Sequence, residues 1–81
     1  MRLDRTRHFL RAYHKAPLDI QQTFDKQARP VVQDIHHPSL RAKKYEESRG
    51  LWQARVNDDW RFYFTIEPGV YVLHEMVRHP K

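Results

Sequence analysis

The sequence predicts an α+β fold in which two N-terminal helices pack on a three- to four-stranded antiparallel sheet. Before about Ile35, apolar residues recur every three or four positions, which is the spacing of one helix face. After about Leu40, apolar and polar residues alternate, as they do in half-buried strands. Two short turn sequences divide this second part of the chain, which favours strands joined as hairpins in a meander.

A first helix is predicted from Thr6 to about Ala16. Thr6 is a suitable N-cap because its side-chain oxygen can accept a hydrogen bond from a backbone N–H of the first turn. Phe9 and Tyr13 are four residues apart, so both lie on one face of this helix. Pro17 is expected to end the first helix and to open the second.

A second helix is indicated by apolar residues three or four positions apart, which form one stripe: Ile20, Phe24, Ala28, Val31 and Ile35. Pro30 interrupts this stripe, and a proline inside a helix removes one backbone hydrogen bond. We therefore expect a bend or break between Gln27 and Pro30. The segment His37-Pro38-Ser39 is expected to lead out of the helix, because the residue before a proline avoids helical geometry.

Three strands are predicted from alternation, over Leu51 to Val56, Trp60 to Ile66 and Val70 to Met76. A weaker pattern suggests a further strand around Arg41 to Tyr45. Asn57-Asp58-Asp59 suits a tight turn between the first two strands. Glu67-Pro68-Gly69-Val70 has proline and glycine where a type II turn requires them. These turns imply antiparallel pairing.

Alternation also assigns the two faces of the sheet. One set of side chains is apolar and is expected to pack on the helices: Trp52, Ala54, Val56, Trp60, Phe62, Phe64 and Ile66. The other set is expected to form an open face: Gln53, Arg55, Arg61, Tyr63 and Thr65. An open face rich in arginine, glutamine and tyrosine is suited to binding a polar partner.

Length and charge limit the classes of function. The 81 residues predict one domain spanning residues 1–81, too small to enclose a large cavity. A net charge of +5 favours a polyanionic partner, nucleic acid first and an acidic protein segment second, although it is also compatible with a merely solubilising surface. The absence of cysteine excludes thiolate nucleophiles and cysteine zinc sites. No apolar run has the length of a signal peptide core or a membrane span, so we expect a cytoplasmic protein.

Six cations fall on or beside the predicted sheet: Arg41, Lys43, Lys44, Arg49, Arg55 and Arg61. Tyr45 and Tyr63 interleave with them. Cations bind phosphates and aromatic rings stack on unpaired bases, so this combination predicts a surface for single-stranded RNA. Nearby acidic residues leave a second interpretation open, in which the charges only form exposed ion pairs.

The histidines were considered as acids or bases, because a metal-independent ribonuclease needs a proton acceptor, a proton donor and cations for the phosphate charge. His79, beside Arg78, is the best candidate, with a disordered tail as the alternative. His74 shares the parity of Val72 and Met76, so we expect it in the core. The remaining histidines are assigned no role: His8, His14, His36 and His37. Neither a metal ion nor another cofactor is indicated by the histidine spacing.

Four segments in this order resemble the RelE/ParE toxin superfamily, nearest its RelE and YafQ-like mRNA interferases: His37–Lys44, Gly50–Val56, Asp59–Phe64 and Val77–His79. The resemblance spans essentially the whole chain. It implies a toxin that enters the ribosomal A site and cuts mRNA through attack of the 2′-hydroxyl on the neighbouring phosphate, without a metal. It also implies an antitoxin partner that blocks the toxin, and a hetero-oligomer of the two.

The same resemblance suggests roles for individual residues. Arg55 and Arg61 match basic residues with phosphate or transition-state roles, and His79 falls where YafQ-like toxins have a catalytic histidine. The residues expected to bind RNA or the ribosome are Arg41, Lys43, Lys44, Asp59, Trp60, Tyr63 and Arg78.

Two alternatives stay open. The first is an inhibitor of DNA gyrase of the ParE type, which has the same fold but no RNA chemistry. Against it, the histidine near the C-terminus and the Asp59-Trp60-Arg61 string favour RNA cleavage. The second is a catalytically degenerate module that only binds an antitoxin, which is suggested by the replacement of the usual glycine-containing turn before His79.

Overall fold

The computed structural model describes residues 2–33 and 40–79, with the backbone alone for residues 30–33. It has five strands and two α-helices. The elements are β1 Arg2–Arg5, α1 Arg7–Lys15, α2 Leu18–Gln33, β2 Lys43–Glu46, β3 Leu51–Arg55, β4 Trp60–Glu67 and β5 Val70–Arg78. The expected helix exit at His37-Pro38-Ser39, together with Ile35 and His36, lies outside the described residues.

Helix α1 forms as predicted. The Thr6 hydroxyl oxygen accepts a hydrogen bond from the Phe9 backbone N–H at 3.1 Å, and Ala16 caps the other end. Phe9 is fully buried, and its ring centroid lies 5.3 Å from that of Phe24 on α2. Tyr13 donates from its hydroxyl to Asp25 at 3.0 Å, and burial followed by this hydrogen bond raises the pKa of Tyr13. Aromatic packing thus joins the two helices.

Helix α2 runs without interruption to Gln33, so the break expected between Gln27 and Pro30 is wrong. Pro30 lies in the last turn of the helix, where only one backbone hydrogen bond is lost. That bond would go to the carbonyl of Lys26, which lies on the exposed side of the helix where water can replace it. The predicted apolar stripe is otherwise confirmed, because Ile20, Phe24 and Ala28 are buried.

The sheet has the order β1-β5-β4-β3-β2, and β2 to β5 form the expected antiparallel meander. The weak pattern near Tyr45 is therefore a real fourth strand. The expectation of a wholly antiparallel sheet is wrong, since β1 adds a fifth strand that pairs in parallel with β5. The two helices supply the long crossover that a parallel neighbour requires, and a four-residue strand with one apolar residue has no alternation to reveal it.

Both predicted turns are confirmed. The Asn57 side-chain oxygen accepts hydrogen bonds from the backbone N–H groups of Asp59 and Trp60, at 2.8 and 2.9 Å. This Asx arrangement closes the turn between β3 and β4. Gly69 adopts a φ of 74°, which a type II turn requires and which residues with a Cβ rarely adopt.

The core lies between the helices and one face of the sheet. Its largest fully buried side chains are Phe9, Phe24, Leu40, Val56, Phe62, Phe64, Leu73 and Met76. Trp52 and Trp60 are partly buried against it, as their parity predicts. Ile66 is an exception, because it is 41% exposed close to the hairpin end of β4.

A β-bulge in β5 changes which residues face the core. Tyr63 pairs with Glu75, but the next residue, Phe64, pairs with Leu73, so His74 is the extra residue on β5. Leu73 and Met76 are therefore both buried although they are three positions apart, a spacing that puts two residues on opposite faces of a regular strand. The expectation that His74 packs in the core is wrong. His74 lies on the opposite face, where its Nε2 is 2.9 Å from the Thr65 hydroxyl oxygen.

Candidate functional site

The sheet face opposite the helices, called the open face below, carries two adjoining clusters of polar side chains. The first, at the β3–β4 turn, is the arginine end, which comprises the side chains of Arg55, Arg61 and Asp58. The second is the groove, which extends along the same face towards α1. Its polar and aromatic lining includes His8, Tyr45, Tyr63, Thr65, His74 and Glu75.

Arg55 and Arg61 are direct register partners on β3 and β4. Like charges opposite each other on antiparallel strands repel, so this pair needs compensation. Arg55 Nη1 lies 2.9 Å from Asp58 Oδ1, and Arg61 Nη1 donates to the Asn57 and Trp60 carbonyls at 2.6 and 3.0 Å. The turn therefore holds both guanidinium groups in place through its backbone and one carboxylate.

The guanidinium groups at the arginine end are only partly satisfied by hydrogen bonds and ion pairs. Arg55 Nε is buried and has no hydrogen-bond partner among the residues that the structure describes. The carboxylate that pairs with Arg55 belongs to Asp58, whose side chain is 91% exposed. A buried donor without a partner costs about 1–3 kcal/mol, and an exposed ion pair contributes little. An anion with several oxygens would satisfy this site better than Asp58 does.

His79 follows β5 directly and is joined to the arginine end by its backbone. Its N–H donates to the Asp59 carbonyl at 2.5 Å, so the C-terminal segment is held against the β3–β4 turn. The His79 side chain is exposed. The β3–β4 turn thus has two arginine side chains and the backbone of His79 beside it.

The groove has a volume of about 750 Å³. The Tyr45 and Tyr63 rings meet edge to face with their centroids 4.9 Å apart. Gln53 is buried and donates from Nε2 to the Tyr63 hydroxyl at 2.9 Å, which fixes that ring. Across the groove, His8 Nε2 on α1 lies 2.6 Å from Glu75 Oε2 on β5. The groove thus has an aromatic wall, formed by Tyr45 and Tyr63, and a hydrogen-bonding wall, which includes His8 and Glu75.

Sequence comparison identifies no relative: no family model matches the chain, and no curated protein is significantly similar to it. Solved structures are informative. The YoeB/ParE toxin from Agrobacterium tumefaciens superposes over 99% of this chain and 100% of its own, with a TM-score of 0.81 and 13% identity. The fold is that of the RelE/ParE toxins.

Other solved structures agree. YafQ from E. coli strain BL21(DE3) has a TM-score of 0.78 and 10% identity, over 95% of this chain and 91% of its own. The toxin–antitoxin complex RelBE2 from Mycobacterium tuberculosis contains a chain with a TM-score of 0.76 and 18% identity, over 95% of each chain. At such low identities the similarity establishes the RelE/ParE fold and leaves function to the site.

Within this fold, the two lysines of β2 point to opposite faces. Lys43 is opposite Gln53 in register, which places it on the open face. Lys44 is opposite Trp52, and its Nζ lies 5.4 Å from the centre of that ring on the helix side. Lys44 therefore covers an aromatic side chain of the core, and only Lys43 adjoins the open-face clusters.

The other residues predicted to bind RNA or the ribosome are likewise not all on the open face. Tyr63 lines the groove. Trp60 packs against the core, and Arg78 is its register partner, so alternation places both on the helix side. Asp59 contributes its backbone carbonyl to His79. Arg41 is exposed before β2 and has a φ of 47°, which is unusual for a residue with a Cβ.

The residues that sequence reasoning missed are His8, His74 and Glu75. Helix periodicity does not identify His8, because it does not reveal which residue of the first turn meets the sheet. Strict alternation misplaces His74, because a bulge is a property of strand pairing, and it gives Glu75 no role. No sequence signal would have brought these three together.

Two further classes of site are absent from the described part of the chain. No group of three or more histidine or acidic side chains there could hold a metal ion. No helix of residues 2–33 and 40–79 is long and apolar enough to cross a membrane.

Proposed function

We propose that this protein is the toxin of a type II toxin–antitoxin system and acts as a ribosome-dependent mRNA endonuclease in the cytoplasm. The observation that carries the proposal is the direct pairing of Arg55 and Arg61 on the open face, where the buried Arg55 Nε–H has no partner among the described residues. Two guanidinium groups side by side match the charge that a phosphate develops during cleavage. The similarity to toxin structures supports the same conclusion.

The proposed reaction requires no metal. A base removes the proton of a ribose 2′-hydroxyl, and the 2′-oxygen attacks the adjacent phosphorus. The bond from phosphorus to the 5′-oxygen then breaks, and an acid protonates that oxygen, which leaves a 2′,3′-cyclic phosphate and a 5′-hydroxyl. Arg55 and Arg61 stabilise the phosphorane oxygens. His79, held beside them through Asp59, serves as the acid or the base.

Substrate positioning is assigned to the open face. Lys43 binds the RNA backbone beside the arginine end, and Tyr63 stacks on a base. The residues that lie on other surfaces, Arg41, Lys44 and Arg78, then contact the ribosome. A chain of 81 residues with a shallow groove cannot enclose an mRNA by itself, so the ribosome would present and orient the strand.

An antitoxin is the second proposed partner. The RelBE2 structure is itself a toxin–antitoxin complex. An acidic segment that folds onto the basic open face would occupy the arginine end in the same way as a phosphate and would block the site.

Primer extension on a defined mRNA, with and without purified ribosomes, tests the proposal. Cuts are expected only with ribosomes, and Arg61→Ala should lower the cleavage rate on the order of a hundredfold, as removal of a transition-state donor does. Arg11→Ala, which removes one exposed arginine from α1, is the matched control and should cleave normally. Normal cleavage by folded Arg61→Ala would contradict the assignment.

The alternative functions give different results in the same experiment. A gyrase inhibitor would leave mRNA intact but would inhibit DNA supercoiling by purified gyrase. A degenerate module would do neither and would still bind an antitoxin.

A further inference from the structure

We propose that the groove binds one unpaired nucleobase and that Glu75 makes it selective for guanine. This inference rests on the proposed function for the class of ligand, since it takes the partner to be single-stranded RNA. It adds a base-recognition site, separate from the arginine end that binds the phosphate.

The aromatic wall supplies a stacking surface. Tyr45 lines the groove, is 58% exposed and packs edge to face with Tyr63 at 63°, so much of its side chain is accessible to a base. Tyr63 cannot turn away easily, because its hydroxyl is bound by the buried Gln53. Stacking on such a ring favours any base over solvent and therefore provides affinity without selectivity.

The groove has room for a base and lies close enough to the arginine end to receive one. Its volume of about 750 Å³ is that of a small-molecule site. Arg61 and Tyr63 are two residues apart on one strand and lie on the same face, so roughly 7 Å separates them. A nucleotide with its phosphate at Arg61 can therefore extend its base towards Tyr63 and Tyr45.

The hydrogen-bonding wall supplies selectivity. The Glu75 carboxylate is 34% exposed, and His8 holds one of its oxygens, Oε2, at 2.6 Å. The other oxygen, Oε1, has no partner among the described residues. Since a carboxylate only accepts hydrogen bonds, it favours a base edge with adjacent donors.

Guanine is the base that has such an edge. Its N1–H and its 2-amino group are neighbouring donors, which a carboxylate can accept together. The other bases place a carbonyl oxygen or an unprotonated ring nitrogen next to their donor, and these acceptors repel a carboxylate. His74 and Thr65 are bonded to each other on the same wall, so they offer no stronger competing partner for the base.

The test is fluorescence anisotropy with single-stranded hexanucleotide probes. Each probe is oligouridine with guanosine, inosine or an abasic ribose at one central position. Inosine differs from guanosine only by the missing 2-amino group. Wild-type protein is expected to bind the guanosine probe more tightly than the inosine probe by roughly tenfold, as for a base contact of this kind.

Two pairs of variants separate the walls. Glu75→Gln should bring the affinities for guanosine and inosine close together. The amide oxygen of glutamine accepts hydrogen bonds, but its NH2 group only donates them. Glu47→Gln, on the exposed turn after β2, removes the same charge and should leave the difference intact. Tyr45→Ala should weaken the guanosine and inosine probes by roughly tenfold and spare the abasic probe, whereas Tyr45→Phe keeps the stacking.

Equal binding of guanosine and inosine by the wild type would overturn the inference, as would equal weakening of the abasic probe by Tyr45→Ala. If in that case Arg61→Ala still weakens every probe, the phosphate role of the arginine end stands and only the base site fails. If the wild type binds no probe and cuts no mRNA on ribosomes, both proposals fail. Circular dichroism of each variant shows whether a loss of binding reflects unfolding.

Discussion

Asp58 occupies the place at Arg55 where a phosphate oxygen would bind. Its carboxylate lies 2.9 Å from Arg55 Nη1 and is almost wholly exposed, so water and salt weaken the pair. The same side chain also repels an approaching phosphate. Asp58 is therefore an internal competitor of RNA at the arginine end.

Removing that competitor should strengthen RNA binding. Asp58→Asn is expected to raise the affinity for oligouridine by up to about fivefold, the range that an exposed ion pair allows. Fluorescence anisotropy at fixed salt measures this change. Glu67→Gln, at the far end of β4, removes one exposed negative charge away from Arg55 and is the control. Equal gains for both variants would mean that only net charge matters.

His79 is expected to act in proton transfer. His79→Ala should lower the rate of ribosome-dependent cleavage by about 10²- to 10⁴-fold, as removal of a general acid or base does, while RNA affinity changes little. His14→Ala, which alters an exposed histidine of α1, should leave the rate unchanged. A parallel loss of affinity and rate in His79→Ala would instead indicate a binding role.

At the scale of residues, alternation predicts the part of the open face that β3 and β4 form. Arg55, Arg61 and Tyr63 lie where their parity places them, because β3 and β4 pair without interruption around them. Charge and the family resemblance group Lys44 with Lys43, although adjacent strand residues face opposite sides. His74 could not be placed, since its face depends on how β5 pairs with β4.

At the scale of elements, β5 does the most to shape the site. Its bulge keeps Leu73 and Met76 in the core while it turns His74 and Glu75 to the groove. The sequence predicts α1, the start of α2 and the meander strands to within about two residues, because their caps and turns are local signals. It could not predict the parallel pairing of β1, which is set by contacts distant in the chain.

The bulge can be tested through stability. Leu73→Ala should lower the free energy of unfolding by about 2–5 kcal/mol, because Leu73 is fully buried. Val72→Ala should cost clearly less, since Val72 is only half-buried. Urea denaturation of both variants measures the difference. If β5 alternated without a bulge, Val72 would lie in the core beside Met76. Val72→Ala would then lower the free energy of unfolding more than Leu73→Ala does.

At the scale of the whole molecule, the net charge of +5 is divided between two faces. The open face carries Arg55, Arg61 and Lys43 around one site, whereas Lys44 and Arg78 lie towards the helices. Of these five residues, only the first three can neutralise phosphates of a strand bound along the open face. The salt dependence of RNA binding therefore reports which face the RNA occupies.

For three phosphate contacts on single-stranded RNA, the slope of log K against log salt concentration is expected to be about −2, at about −0.7 for each contact. Lys43→Ala should make the slope less steep by about 0.7. Lys44→Ala should leave it unchanged, because that ammonium group is held over Trp52 on the other face. Anisotropy titrations over a range of potassium chloride concentrations give both slopes. A change of the same size in Lys44→Ala would mean that RNA also contacts the edge of the sheet at β2, so that the bound strand is not confined to the open face.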